Sequence, residues 1–211
     1  MNPPTSAASV PTPVYIAFEG AEGCGKSTQA RLLAAAIDAV HTRETGGTAI
    51  GARLREILHD TEVTDLDDRA EALITAADRA QHLAEVVLPA LAAGRHVVSD
   101  RSVYSTLAYQ GYGRDLPLDD LRRINDWAVA GLWPQFVILL TVSAETTARR
   151  MGKRDLDRFE REGDAFHDRV AAGFATMAAS DPDHWVTIDA DRPIDEVTND
   201  IRNTVRERLG L

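Results

Sequence analysis

Short apolar runs alternate along this chain with longer stretches in which apolar residues return every three or four positions. VYIAF at 14–18, HVVSD at 96–100, FVILLTV at 136–142 and WVTID at 185–189 are the clearest short runs. Their near-continuous hydrophobicity predicts strands buried on both faces of a sheet. Between them, 29–38, 68–93 and 118–130 carry a helical period, and a last helix opens at Pro193, a residue suited to a first helical turn. Strand and helix in turn is the rhythm of a parallel sheet covered by helices, an α/β fold. The start, MNPPTSAASVPTP, is rich in Pro, Ser and Ala and shows no period, so 1–13 reads as a disordered tail and 14–211 as one domain. That start has neither the basic n-region nor the apolar h-region of a signal peptide.

Composition narrows this picture. A length of 211 residues suits one α/β domain with a proper core and is marginal for two. With 23 Lys+Arg against 33 Asp+Glu and a formal charge of -10, the chain repels a phosphodiester backbone, which favours free nucleotides over DNA or RNA. The single cysteine, Cys24, excludes an intramolecular disulfide and a cysteine-rich metal site and fits a reducing compartment, the cytoplasm. No apolar run reaches the length of a membrane span.

Candidate chemistry begins at 19–29, EGAEGCGKSTQ, between the first expected strand and the first expected helix. Gly20, Gly25, Lys26 and Ser27 stand there at G-x-x-x-x-G-K-[ST] spacing. Gly20, Gly23 and Gly25 let backbone N–H groups converge on an anion at a helix N-terminus, Lys26 reaches the outer phosphates, and Ser27 offers a hydroxyl to Mg²⁺. Ala21, Cys24 and Thr28 complete the expected ATP loop, Cys24 as a small filler. A purely structural glycine turn leaves the Lys26-Ser27 pair unexplained. Glu22 is the anomaly, a carboxylate inside a loop built for anions. The chain has no N-K-x-D segment for guanine and is short for a coupled motor, so a small-molecule kinase is the expectation.

Five further motifs follow in order: TRETGGT at 42–48, ADRAQH at 77–82, SDRS at 99–102, STLAYQGYGR at 105–114 and DLDRFE at 155–160. With the loop, this set resembles the thymidylate kinase family from residue 14 to the last helix. The resemblance implies a P-loop nucleoside monophosphate kinase fold of three layers, a central five-stranded parallel sheet flanked by helices. It also implies ATP-dependent phosphorylation of dTMP to dTDP with Mg²⁺ as cofactor, and a homodimer; charge and composition speak for neither nucleic acid nor membrane as a partner.

Residue by residue, the resemblance implies that Glu22 accepts from the 3′-hydroxyl of the acceptor sugar. Arg43, Arg55 and Arg101 then surround the acceptor's 5′-phosphate, and Asp100 lies near Mg²⁺ together with Ser27. Arg79 and Gln110 hydrogen-bond the thymine ring, Thr106 adds a polar contact, and Tyr109 lies under the deoxyribose. A helical arginine is more often a solvated partner of a nearby carboxylate. Arg101 departs from that rule because it follows an apolar strand at the carboxyl end, where open α/β sheets bind ligands.

Phosphoryl transfer needs alignment and charge neutralisation rather than a nucleophilic side chain. One class of these kinases puts an arginine at the position of Gly23, so here the charge must come from elsewhere. The run 148–164, ARRMGKRDLDRFEREGD, corresponds to the lid of the bacterial class, placed at 150–163, and Arg154 and Arg158 are its expected catalytic arginines. Read without the motifs, a basic run with interspersed acids is a solvated helix face.

Three positions depart from the family pattern. Thr45 replaces a proline, Ser102 an aromatic or histidine, and Thr75 the phenylalanine that stacks on thymine four residues before Arg79. Base–aromatic stacking is worth about 1–3 kcal/mol, which keeps two alternatives open. One, motivated by Thr75 and Thr45, is a kinase for another pyrimidine deoxynucleotide, modified ones included; the other, from a different class, is a nucleotide-binding protein without transferase activity.

Overall fold

The computed structural model describes residues 12–152 and 156–211, so most of the expected tail, and Arg154, lie outside the described residues. Its sheet comprises β1 (Tyr15–Glu19), β2 (Val40–Arg43), β3 (Val97–Asp100), β4 (Phe136–Thr141) and β5 (Trp185–Asp189), all parallel in the order β2-β3-β1-β4-β5. This is the sheet that the family resemblance implies. The four apolar runs are four of the strands, within a residue or two at each end. The fifth, β2, did not stand out because it is a short edge strand that fully buries only Thr42.

The helices are α1 (Lys26–Ala36), α2 (Ala49–His59), α3 (Asp68–His82), α4 (Leu88–Ala92), α5 (Val103–Thr106), α6 (Leu118–Ala128), α7 (Ala144–Met151), α8 (Asp164–Ser180) and α9 (Ile194–Leu209). The expected 68–93 helix starts where Asp67 caps the Arg69 and Ala70 amides, then passes through a π-helical turn at Leu83–Val87. There the Leu88 N–H bonds to the Leu83 carbonyl, and Pro89, which has no N–H, follows directly. Pro193 stands just before α9, at its N-cap. Helices α2, α5, α7 and α8 were not anticipated.

Strand alternation sorts the core onto two faces. Ile16, Phe18, Val98, Ile138 and Leu140 pack against α1 and α9 through Leu33, Ile201 and Val205. On the opposite face, Val137, Leu139 and Trp185 meet Leu107, Phe166, Val170 and Phe174. Tyr15 and Val97 meet Leu83 and Val87 there. The connection out of β1 runs to one side of the sheet and that out of β3 to the other, so a crevice opens at the carboxyl ends beside β1. Register sets Asp100 level with Phe18 on one neighbour and Arg43 on the other.

Candidate active site

α1 begins at Lys26 directly after Gly25, which is left-handed at φ 98°, and has no side-chain cap and no acidic residue in its first turn. Its orphan N–H groups and positive end therefore face the loop, the arrangement that accepts an anion. Gly20 sits at φ 138°, and a Cβ there would strike the Leu140 carbonyl oxygen, so the loop passes tightly under the end of β4. Lys26 is buried, with Nζ donating to the Ala21 carbonyl at 2.7 Å. Ser27 Oγ makes a short hydrogen bond to Asp100 Oδ2 at the end of β3.

Beside this loop lies a cavity of about 230 Å³. Its lining brings together Glu22, Ser27, Arg43, Arg55, Thr75, Arg79, Asp100, Arg101, Thr106, Tyr109 and Gln110, residues far apart in sequence.

Arg101 lines the cavity and ties several of its walls together. It is left-handed at φ 70°, a conformation that turns the chain out of β3, and its N–H bonds to the Phe18 carbonyl at 2.9 Å. Nη1 donates to the Gly20 carbonyl at 3.3 Å and to Ser105 Oγ at 3.2 Å. Nη2 donates to Tyr109 Oη at 3.1 Å and, in a short ion pair, to Glu22. Burial opposes ionisation of the Glu22 carboxyl, but the charges of Arg101 and Lys26 outweigh it and hold the group at about 2. The carboxylate in the anion loop is thus held ionised by its own arginine.

Arg43 and Arg55 complete a cationic wall. Burial first, then the like charges of Arg43 and Arg101, push the Arg55 guanidinium below its ordinary value. Three arginines crowded at one cavity make a site for an anion that relieves their repulsion. Arg55 is aimed by Thr45, whose carbonyl and hydroxyl accept from Nη1 at 3.3 and 3.2 Å.

The far end is built from α3 and the π turn at Leu107–Gly113 that continues α5. Arg79 is 2 % exposed and largely committed to the protein. Nε donates to Glu44 at 2.8 Å, Nη1 to Thr106 at 2.5 Å and to Asn125 at 3.0 Å, and Nη2 to the Ser102 carbonyl at 3.0 Å. Nη2 carries a second N–H for the cavity. Thr75 donates to the Ala72 carbonyl at 2.8 Å and meets the Thr106 hydroxyl at 3.1 Å. Gln110 lines the cavity while its Nε2 donates to Glu71 at 2.7 Å.

The lid candidates separate. Arg158 turns away from the phosphate loop, donating to the Leu58 carbonyl at 2.9 Å and to Glu71 at 2.5 Å. Among the described residues, Arg150 of α7 reaches the loop, with Nη1 on the Gly23 carbonyl at 3.3 Å and Nη2 on the Ala190 carbonyl at 2.8 Å. A Cβ at Gly23 would lie 3.4 Å from Met151, so α7 covers the position where the other class carries its arginine.

Sequence reasoning passed over several residues of the site. Glu19 is buried at the end of β1 and accepts from Ser102 N, Ser102 Oγ and Ser105 Oγ at 2.7–2.8 Å. Glu44 gathers Arg79, His82 and Tyr15. Phe159 stands edge-on to Tyr109 at 5.8 Å and to His59 at 5.4 Å, giving the cavity an aromatic wall that Thr75 does not. Asp157 pairs with His59 at 2.7 Å. Glu44, Asp157 and Phe159 lie within the motifs TRETGGT and DLDRFE, where no local pattern sets them apart from the neighbouring arginines.

A phosphate loop on a parallel sheet, beside a cavity lined by Arg43, Arg55 and Arg101, defines a P-loop kinase for a small phosphorylated acceptor. A model of the thymidylate kinase family matches residues 18–201, and the chain belongs to that family. It is 42% identical over 209 residues to a thymidylate kinase of Maridesulfovibrio salexigens, covering 93% of this chain and 96% of the relative. Against thymidylate kinases of Nitratidesulfovibrio vulgaris and Exiguobacterium sp. the identities are 44% over 210 residues and 40% over 202, again covering 93% of this chain and 98% and 95% of the relatives.

Proposed function

We propose that the chain transfers the terminal phosphoryl group of ATP to dTMP, giving dTDP. The observation that carries this reading is the single cavity in which Arg43, Arg55 and Arg101 form an anion wall, Glu22 and Tyr109 flank Arg101, and Arg79 and Gln110 close the far end. A nucleotide 5′-phosphate fits the wall, its deoxyribose the Glu22–Tyr109 side, and its base the far end. The acceptor phosphate is then brought beside the loop where Lys26 and the α1 N-terminus hold the donor.

In this mechanism the acceptor's own phosphate oxygen attacks, so the protein supplies position and charge. Lys26 leaves the Ala21 carbonyl for the donor phosphates, and Arg101 neutralises charge between donor and acceptor. Ser27 and Asp100 offer hard oxygen ligands suited to Mg²⁺, and among the described residues no cluster of three His, Cys, Asp or Glu side chains competes for a metal. Mg²⁺ binds with few protein oxygens plus phosphate and water, and bound there it would neutralise phosphate charge. The segment 150–163 acts as a lid that excludes water, with Arg150 at the loop.

The finer assignments travel with this reading. No helix among the described residues is long and apolar enough to cross a membrane, and a cytoplasmic enzyme acting on free nucleotides is the matching location. A homodimer is supported by exposed Ile50, Ile57, Leu73 and Trp127 on α2, α3 and α6, where α3 packs against both of the others.

The test is ADP release from ATP and Mg²⁺ with dTMP, dUMP, dCMP, dGMP, dAMP and UMP offered separately. Strong preference for dTMP is expected, and Lys26→Ala should lower turnover by a factor of about 10² or more while leaving the protein folded. Preference for another acceptor would reject dTMP, and ATP binding without any product would reject the kinase.

A further inference from the structure

Glu71 lies two helical turns before Arg79, with Thr75 midway, so the three side chains share one buried face of α3. Fully buried, Glu71 collects donors from separate parts of the chain. Oε1 accepts from Gln110 Nε2 at 2.7 Å, and Oε2 accepts from Arg158 Nη2 at 2.5 Å and Arg114 Nη2 at 3.2 Å. Arg158 belongs to the lid segment and is also held by the Leu58 carbonyl at the end of α2. Arg114 directly follows the π turn that carries Gln110 and pairs with Glu162 at 2.6 Å. Because Gln110 gives its NH₂ to Glu71, its carbonyl oxygen is left for the cavity.

We propose that Glu71 is a positioning residue that couples docking of the lid to the orientation of Gln110, and through it to the acceptor base. This rests on the dTMP reading above. A docked Arg158 fixes Glu71, Glu71 fixes the amide, and the cavity is offered an acceptor. That suits a base with a ring N–H, thymine or uracil, and rejects cytosine, whose ring nitrogen is itself an acceptor. With the lid undocked, Glu71 loses one of its arginines and Gln110 loses its reference, so acceptor recognition and water exclusion are linked through one carboxylate.

The test is steady-state kinetics of the full chain with dTMP and dCMP at varied ATP, for wild type, Glu71→Gln, Arg158→Gln and the double variant. The Glu71→Gln amide keeps the shape but can donate to Gln110, which frees Gln110 to turn over. It should raise the dTMP KM about tenfold and cut the dTMP-over-dCMP preference about tenfold, with ATP KM within about twofold. Arg158→Gln should move the same two quantities in the same direction, and the double variant should be no worse than Glu71→Gln alone. A purely structural role would lower the melting temperature while leaving KM and preference unchanged, and that result would overturn the inference. If Glu71→Gln does not fold, Arg158→Gln decides, because a rise in ATP KM alone with unchanged acceptor preference rejects the coupling. Wild type that phosphorylates no deoxynucleotide would instead sink the dTMP reading, and the coupling with it.

Discussion

On the proposed reading, Arg79 has two duties that draw on one guanidinium. Three of its nitrogens tie α3 to Glu44, Thr106, Asn125 and the Ser102 carbonyl, and the remaining N–H is free for an acceptor base. Arg79→Ala therefore strands a buried carboxylate, and should cost about 3–5 kcal/mol in denaturant unfolding as well as raising acceptor KM more than ATP KM. Equal loss on both substrates would mean that the acceptor site lies elsewhere. Titration gives a second expectation at this scale. Burial opposes ionisation of Glu44, but the His82 and Arg79 contacts outweigh it and hold its carboxyl below the usual range, as Arg101 does for Glu22. Such groups stabilise the fold above the unfolded carboxylate value of about 4.3 and lose that contribution as pH falls through their depressed folded values. Glu19 runs the other way, since burial raises it and its ionised form costs stability that acid removes. Melting temperature should consequently fall below pH ~4, less steeply in Glu44→Gln than in wild type, and parallel curves would remove Glu44 from the acid response.

The π turn carries Tyr109 and Gln110 into the cavity lining, and it is held by helix α8. Gly113 and Gly173 let backbones approach where a Cβ would stand 2.6 Å from Phe166 and 2.5 Å from Tyr112 respectively. Tyr109 meets Phe166 and Phe174 edge-on from the same turn. Gly173→Ala has no room beside the Cβ and ring of Tyr112, so it should destabilise by about 1–3 kcal/mol. It should also loosen Tyr109 and Gln110, raising acceptor KM with ATP KM unchanged; a destabilised variant with normal acceptor KM would show that α8 supports the fold but not the site. At the same scale, substitutions that depart from the family pattern find partners. Ser102 caps α5 and donates to Glu19, Thr45 aims Arg55, and Thr75 joins the Thr106 hydroxyl.

For the whole molecule, assembly is the property most open to direct measurement. The exposed apolar side chains on α2, α3 and α6 should bury against a second copy, giving a sedimentation mass of twice 23.0 kDa. Leu73→Glu, which puts a charge on the 55% exposed member of that set, should shift the protein toward monomer at micromolar concentration. A monomeric wild type, or a dimer indifferent to Leu73→Glu, would move the interface off these helices.

Local rules were enough for four of the five strands and for the phosphate loop. Buried parallel strands need continuous apolar runs, and an anion cradle needs glycines, a lysine and a hydroxyl within a few residues, so both are written in consecutive positions. Edge strand β2 escaped because one exposed flank removes the apolar signal, and α8 because the neighbouring basic run masked its buried Phe166, Val170, Phe174 and Met177. The family motifs named residues that line one cavity, but their partners were decided only by tertiary structure. Glu71 with Arg158 and Gln110, Glu44 with Arg79 and His82, and Arg150 with Gly23 are meetings between distant segments. A charged side chain carries no local mark of which opposite charge will desolvate it; strand order, crossover and helix packing choose that partner.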